Sequence, residues 1–212
     1  MKRLAVFGAS GHGRVVADAA EASGWHHVVF FDDAWPEISE SGPWRVEGDF
    51  SAMCSRLPEF DGIFVAIGNN HVRHQKTREL IDAGAGIETL VHPCAYVSQH
   101  ARLGAGCVVL AAAAVNAGAV VGEGGIINTG AVIEHDCQLG DFVHVSPNAV
   151  LAGGVKAGDF CWVGALAGVR QLISLGKEVT VGMGAVVIRD IPKGATVAGV
   201  PAVLIRSEPG HA

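Results

Sequence analysis

Residues 121–144 read VGEGGI INTGAV IEHDCQ LGDFVH. Each block of six opens on a branched aliphatic residue: Val121, Ile127, Ile133, Leu139. The same phase runs in both directions, and seventeen such blocks fill residues 91–192 without a break. Sixteen of them begin with Val, Leu or Ile; Ala157 is the one small member. The fifth place is mostly small, and Gly, Ala, Asn, Asp or Glu often fill the second. A fixed short period over half a chain marks a stacked, solenoid architecture.

The physical content of the pattern is one large inward side chain and one small one per block. A short strand carries the large residue inside, and small or polar residues let the chain turn a corner. Stacking successive coils pairs each strand's backbone with those above and below, so no amide or carbonyl is stranded. Each buried Val, Leu or Ile then contributes roughly 1.5–3 kcal/mol. A low-complexity Ala/Gly/Val tract does not hold a six-residue phase.

The bulk properties narrow the function. The chain has 212 residues, half of them hydrophobic and 17% charged, with a net charge of −6. No basic stripe points to nucleic acid and no basic amphipathic helix to a membrane surface. The longest apolar run, Cys107 to Val115, is too short to span a bilayer. The N-terminal run Leu4–Phe7 is too short for a signal segment. A cytoplasmic protein is expected, with no membrane insertion and with its excess apolar surface buried between subunits. Five cysteines at 54, 94, 107, 137 and 161 form no CxxC pair. Cys107, Cys137 and Cys161 fall on the inward fifth place and are expected to be core residues. Among His92, His100, His135 and His144 no metal-ligand spacing is evident, so no metal is expected.

Residues 1–86 follow a different rule. Strands are expected at Arg3–Phe7, Val28–Phe31 and Gly62–Ile67, and helices at Arg14–Ser23, Ser51–Leu57 and His71–Ala83. This βαβαβα order predicts a small parallel sheet of half-Rossmann type. Between the first strand and helix lies the turn GASGHG, residues 8–13. A helix that begins there offers free amides and a positive dipole end to a phosphate. The spacing is GxxGxG, not the GxGxxG of dinucleotide enzymes, and the unit is too short for a full dinucleotide fold. Taken alone, the glycine turn and the acidic pair Asp32-Asp33 fit either a nucleotide site or a tight structural turn.

Two further observations bear on that choice. The blocks VGEGGI (121–126), LGDFVH (139–144) and VGMGAV (181–186) resemble the hexapeptide-repeat acyltransferases. The combination GASGHG, FDD (31–33) and AIGNN (66–70), followed by the repeats, resembles the bacterial nucleotide-sugar N-acetyltransferases and sialic-acid O-acetyltransferase-like proteins. The resemblance covers essentially the whole chain. It implies an N-terminal nucleotide-sugar-binding domain, 1–86, and a left-handed parallel β-helix with a C-terminal tail, 87–212. It also implies three blocks per coil, a homotrimer, and acetyl-CoA as cosubstrate bound between neighbouring subunits. By position, Ser10, Gly11 and His12 approach the diphosphate or sugar, Asp32 and Asp33 the base or ribose, and Gly68 lines the same pocket.

Transfer of an acetyl group from a thioester to an amine needs a base, an oxyanion donor and a held thioester. Glu134-His135-Asp136-Cys137 matches the family pattern EH(D/E)C, which implies His135 as general base and Asp136 as its support. Strict strand alternation sends neighbours to opposite faces, so only a corner lets Asp136 reach back to His135. Asn128 of the INT segment is implied near the reacting groups, and His144 of His144-Val145 at acetyl-CoA. One coil of eighteen residues after His135 comes Gly153, expected to stack beside it and offer its amide to the oxyanion. Ala165 and Met183, the latter where the family often has Gly, are implied in the pantetheine cleft. The expected reaction is acetylation of a nucleotide-linked amino sugar for surface glycans, foremost a UDP-4-amino-4,6-dideoxy sugar. The alternative is O-acetylation of a sialic-acid-type sugar.

Overall fold

The computed structural model describes residues 1–206. They form two compact units, one running Met1–Pro93 and the other starting at Cys94. In the first, a three-stranded sheet is built from β1 (Arg3–Phe7), β2 (His27–Phe31) and β5 (Gly62–Val65) in the order β2-β1-β5. Both pairings are parallel, Phe7 lying beside Phe31 on one side and Val65 on the other. Helices α1 (Gly11–Ala22), α2 (Phe50–Ser55) and α3 (Asn70–Asp82) complete the expected alternation. Ala5, Phe7, Val29, Phe31, Ile63 and Val65 meet Met53 and Leu80 in a dry core.

Helix α1 begins at Gly11, three residues before the apolar spacing placed it, so half of the glycine turn is helical. Packing explains it. A side chain at Gly13 would land on the carbonyl oxygen of Gly8 and 3.1 Å from the Phe30 ring. Only a glycine lets the first turn of α1 sit this close to the sheet. A short hairpin, β3 (Glu40–Ser41) with β4 (Trp44–Arg45), was not legible in the pattern. It is fixed by the buried Ser41 hydroxyl, which donates to the Ala9 carbonyl (2.6 Å), and by Trp44, whose indole donates to Glu21 (2.8 Å).

The second unit is the expected parallel β-helix. Two-residue strands recur every six residues, and each pairs in parallel with the strand eighteen residues away, as Val132 does with Val150. Three blocks per coil therefore give three flat sheets. The opening aliphatics, from Val115 through Ile133 to Val187, are buried, as are Cys107, Cys137 and Cys161. From Gly106 to Gly184 the fourth residue of every block has positive φ, whether glycine or not: Gly130 (66°), Asp136 (59°), Phe142 (54°) and Asn148 (56°) are four of them. At the far end Thr196–Ala198 pairs in parallel with Thr180–Val181 and antiparallel with Val203–Arg206. That last strand covers the edge the final coil leaves open.

Candidate active site

In the β-helix unit, His135 and Asp136 are the two residues of one corner. The left-handed conformation of Asp136 (φ 59°) turns its carboxylate back along the chain, against strand alternation. Asp and Asn tolerate this region better than most residues with a Cβ. The result is a contact of 2.9 Å between His135 Nδ1 and Asp136 Oδ2. With Nδ1–H donating to the carboxylate, Nε2 is left with its lone pair. Both side chains stand out from the chain, 65% and 74% exposed.

The coil above brings Gly153 to the same corner, as the eighteen-residue count requires. The Gly154 amide donates to the His135 carbonyl (2.9 Å). A Cβ built on Gly153 would strike His135 Nε2 and lie 2.6 Å from Cε1. The glycine thus keeps open the space over the basic nitrogen. The Gly153 amide itself has no acceptor among the described residues. Gly118, one coil below Asp136, does the same for the carboxylate, since a Cβ there would meet Oδ1 at 2.5 Å.

Asn128 and His144 lie together elsewhere on the unit. The Asn128 carboxamide oxygen accepts from the Thr129 amide (2.8 Å), so its NH2 faces His144 Nε2 at 3.2 Å. That contact puts the His144 ring proton on Nδ1. Trp162, one coil on, stacks on His144 with centroids 6.1 Å apart and planes 15° apart, and donates to Ser146 Oγ (2.8 Å). Sequence reasoning missed Trp162, which is half exposed. Ala165 and Met183 share a corner one coil apart, the Gly184 amide donating to the Ala165 carbonyl (2.8 Å). That corner is not the one that carries His135 and Gly153, because only steps of eighteen residues return to the same corner. One chain therefore holds the two sets on separate edges of its β-helix.

In the first unit a cavity of about 260 Å³ opens where β1, β2 and β5 end. Ser10, Asp32, Asp33 and Gly68 line it together, with Gly8, Ile67, Val72 and Lys76. Gly11 and His12 do not. Ser10 is the N-cap of α1, yet its hydroxyl makes no capping bond. Asp32 is engaged by backbone: Oδ2 accepts from the Ala9 amide (2.8 Å) and Oδ1 from the Ala34 amide (3.0 Å). Asp33 accepts from the Phe50 amide (3.2 Å) and faces Lys76 Nζ at 3.4 Å. His12 is largely buried in the first turn of α1, and burial together with the Arg73 guanidinium pushes its pKa down to about 4. It is neutral near pH 7, an imidazole with one N–H.

Arg73 is the larger surprise. It is 1% exposed and donates to the carbonyls of Ile67 (2.9 Å) and Gly68 (3.2 Å) and to Asn70 Oδ1 (2.9 Å). It therefore holds the loop that forms one wall of the cavity. Among the described residues no group of three or more His, Cys, Asp or Glu side chains is suited to a metal ion, and no helix is long and apolar enough to cross a membrane.

Comparison with known proteins bears on both units. Residues 3–80 match the PglD N-terminal domain family. The acetyltransferase domain of PglB from Neisseria gonorrhoeae FA1090, in complex with acetyl coenzyme A, is 43% identical with a TM-score of 0.93, covering 96% of this chain and 99% of its own. PerB from Caulobacter crescentus, in complex with CoA and GDP-perosamine, is 36% identical with a TM-score of 0.90, covering 97% and 98%. GDP-perosamine N-acetyltransferase of Escherichia coli O157:H7 is 26% identical over 99% of both chains.

Proposed function

The chain belongs to the PglD-like hexapeptide-repeat acetyltransferases, and from that premise we propose that His135 is the general base in the acetylation of a nucleotide-linked 4-amino-4,6-dideoxy sugar. The chain is an N-acetyltransferase that uses acetyl-CoA. UDP is the carrier we expect, and surface glycan synthesis in the cytoplasm the setting.

The observation that carries this reading is the corner itself, with Nδ1 tied to Asp136 (2.9 Å) and Gly153 over Nε2. Asp136 fixes the tautomer and stabilises the imidazolium as it forms. The sugar amine attacks the thioester carbon while Nε2 takes its proton. The Gly153 amide, unpartnered among the described residues, donates to the developing oxyanion. As the C–S bond breaks, His135 returns the proton to the departing sulfur, so no acyl-enzyme forms. Ser10, Gly68 and Asp33 hold the nucleotide part, and Asn128 lies toward the reacting groups. His144, Ala165 and Met183 line the coenzyme cleft. Since Met183 and His135 stand on different corners, the reading requires a second copy of the chain to complete each site, and a homotrimer supplies it.

A thiol-release assay with acetyl-CoA and a panel of UDP-, GDP- and dTDP-linked amino sugars tests this. Release with one of them, reduced about 100-fold or more in His135→Ala, is the expected result. Release with a free sialic acid and none of the nucleotide sugars would move the protein to O-acetylation.

A further inference from the structure

The cavity in the first unit has a charge problem. Its lining carries two carboxylates, Asp32 and Asp33, and a ligand of the class proposed above adds an anionic diphosphate. Asp32 is already compensated by two amides, those of Ala9 and Ala34. Asp33 is not, apart from the single Phe50 amide (3.2 Å). Lys76 is the one cation among the residues that line the cavity.

Its placement is unusual for a surface lysine. Only 18% of the side chain is exposed. The ammonium sits 4.0 Å from the centre of the Phe50 ring and 5.3 Å from that of Phe7. Asp33 Oδ2 lies 3.4 Å away, and Glu79 Oε2 3.5 Å. The aromatic faces and the two carboxylates hold the charge at the cavity wall before any ligand arrives, so little side-chain entropy remains to be lost on binding. A lysine packed merely for stability would have no need to face this cavity.

We infer that Lys76 is a specificity-determining residue of the nucleotide site: it neutralises Asp33 in the empty cavity and is the cation that meets the diphosphate. The inference rests on the preceding reading for the class of ligand, and deepens it by naming the residue that separates a nucleoside diphosphate from the nucleoside alone.

Calorimetric titration of the full chain with UDP, GDP and dTDP, and with the matching nucleosides, tests this without turnover. In Lys76→Met the diphosphate that wild type binds should weaken by about tenfold or more, the size of one charge-assisted hydrogen bond. The nucleoside should change by less than about twofold, and Lys76→Arg should keep most of the affinity. Lys76→Gln serves as the neutral variant if the methionine chain melts far below wild type. Equal losses for diphosphate and nucleoside would mark Lys76 as scaffold for Asp33 and overturn the inference. So would an unchanged diphosphate affinity, or a wild type that binds none of the three. Binding that follows the expectation while no nucleotide sugar is acetylated would instead overturn the proposed reaction and leave Lys76 standing.

Discussion

The orientation of the His135 ring is decided one residue later. Asp136 reaches Nδ1 only because its backbone is left-handed (φ 59°), a state that Asp adopts at less cost than most other residues with a Cβ. The same residue type thus satisfies the corner and the chemistry. His12 is governed by burial instead. In the folded chain it stays neutral down to about pH 4, against an ordinary value of 6.5. Between those values the unfolded chain binds more protons, so stability rises with pH across that window. The contribution is complete above about 6.5 and is lost as pH falls toward 4, on the order of 3 kcal/mol in all. Thermal melts from pH 7 to 4 should therefore show a steeper decline for wild type than for His12→Asn. Parallel curves would mean that His12 is not the group responsible.

At the scale of elements, α1 depends on a single hydrogen atom. Gly13→Ala would drive a methyl group into the Gly8 carbonyl and the Phe30 ring, and overpacking of this kind costs about 1–3 kcal/mol. The helix would have to lift from the sheet, carrying Ser10 with it. Denaturant unfolding should register the loss, and affinity for the nucleoside diphosphate should fall in the same variant; an unperturbed midpoint would contradict the packing argument. The sequence pattern had placed the start of α1 at Arg14, because Gly11 and Gly13 are poor helix formers and only tertiary contact favours them there. Other features escaped for related reasons. Arg73 sits among HVRHQKTRE, where a charge normally means a solvated face, and nothing local announces that Ile67 and Gly68 need a donor. The strands of the Glu40–Arg45 hairpin are two residues long, too short to show a period. The β-helix, by contrast, was legible almost residue by residue, since each block buries its own aliphatic and the error in one block does not spread to the next. The stacking of Gly153 on His135 followed from counting alone once three blocks per coil were implied.

For the whole molecule the decisive observation is that one chain sets the two proposed halves of the site on different corners. His135 and Gly153 occupy one corner; Ala165 and Met183 occupy another. The sheet between those corners presents Tyr96, Val150 and Val186 to solvent, with Leu166 and Leu172 exposed at its two margins. An apolar strand face of this kind, flanked by Glu134 and Arg170, is suited to a neighbouring copy. In the homotrimer proposed above, one copy's His135 corner would meet the next copy's Met183 corner, a head-to-tail contact that closes after three. Sites shared in this way have a signature that folding defects cannot mimic. On the proposed roles His135→Ala removes the base and Met183→Trp fills the coenzyme cleft, so each variant alone should be nearly inactive in thiol release. Unfolded together and reassembled in equal amounts, they should form mixed trimers in which about one site in four joins an intact His135 to an intact cleft. Recovery toward a quarter of wild-type activity is the expected result. Mixed trimers that sediment normally yet stay inactive would place base and coenzyme on the same chain.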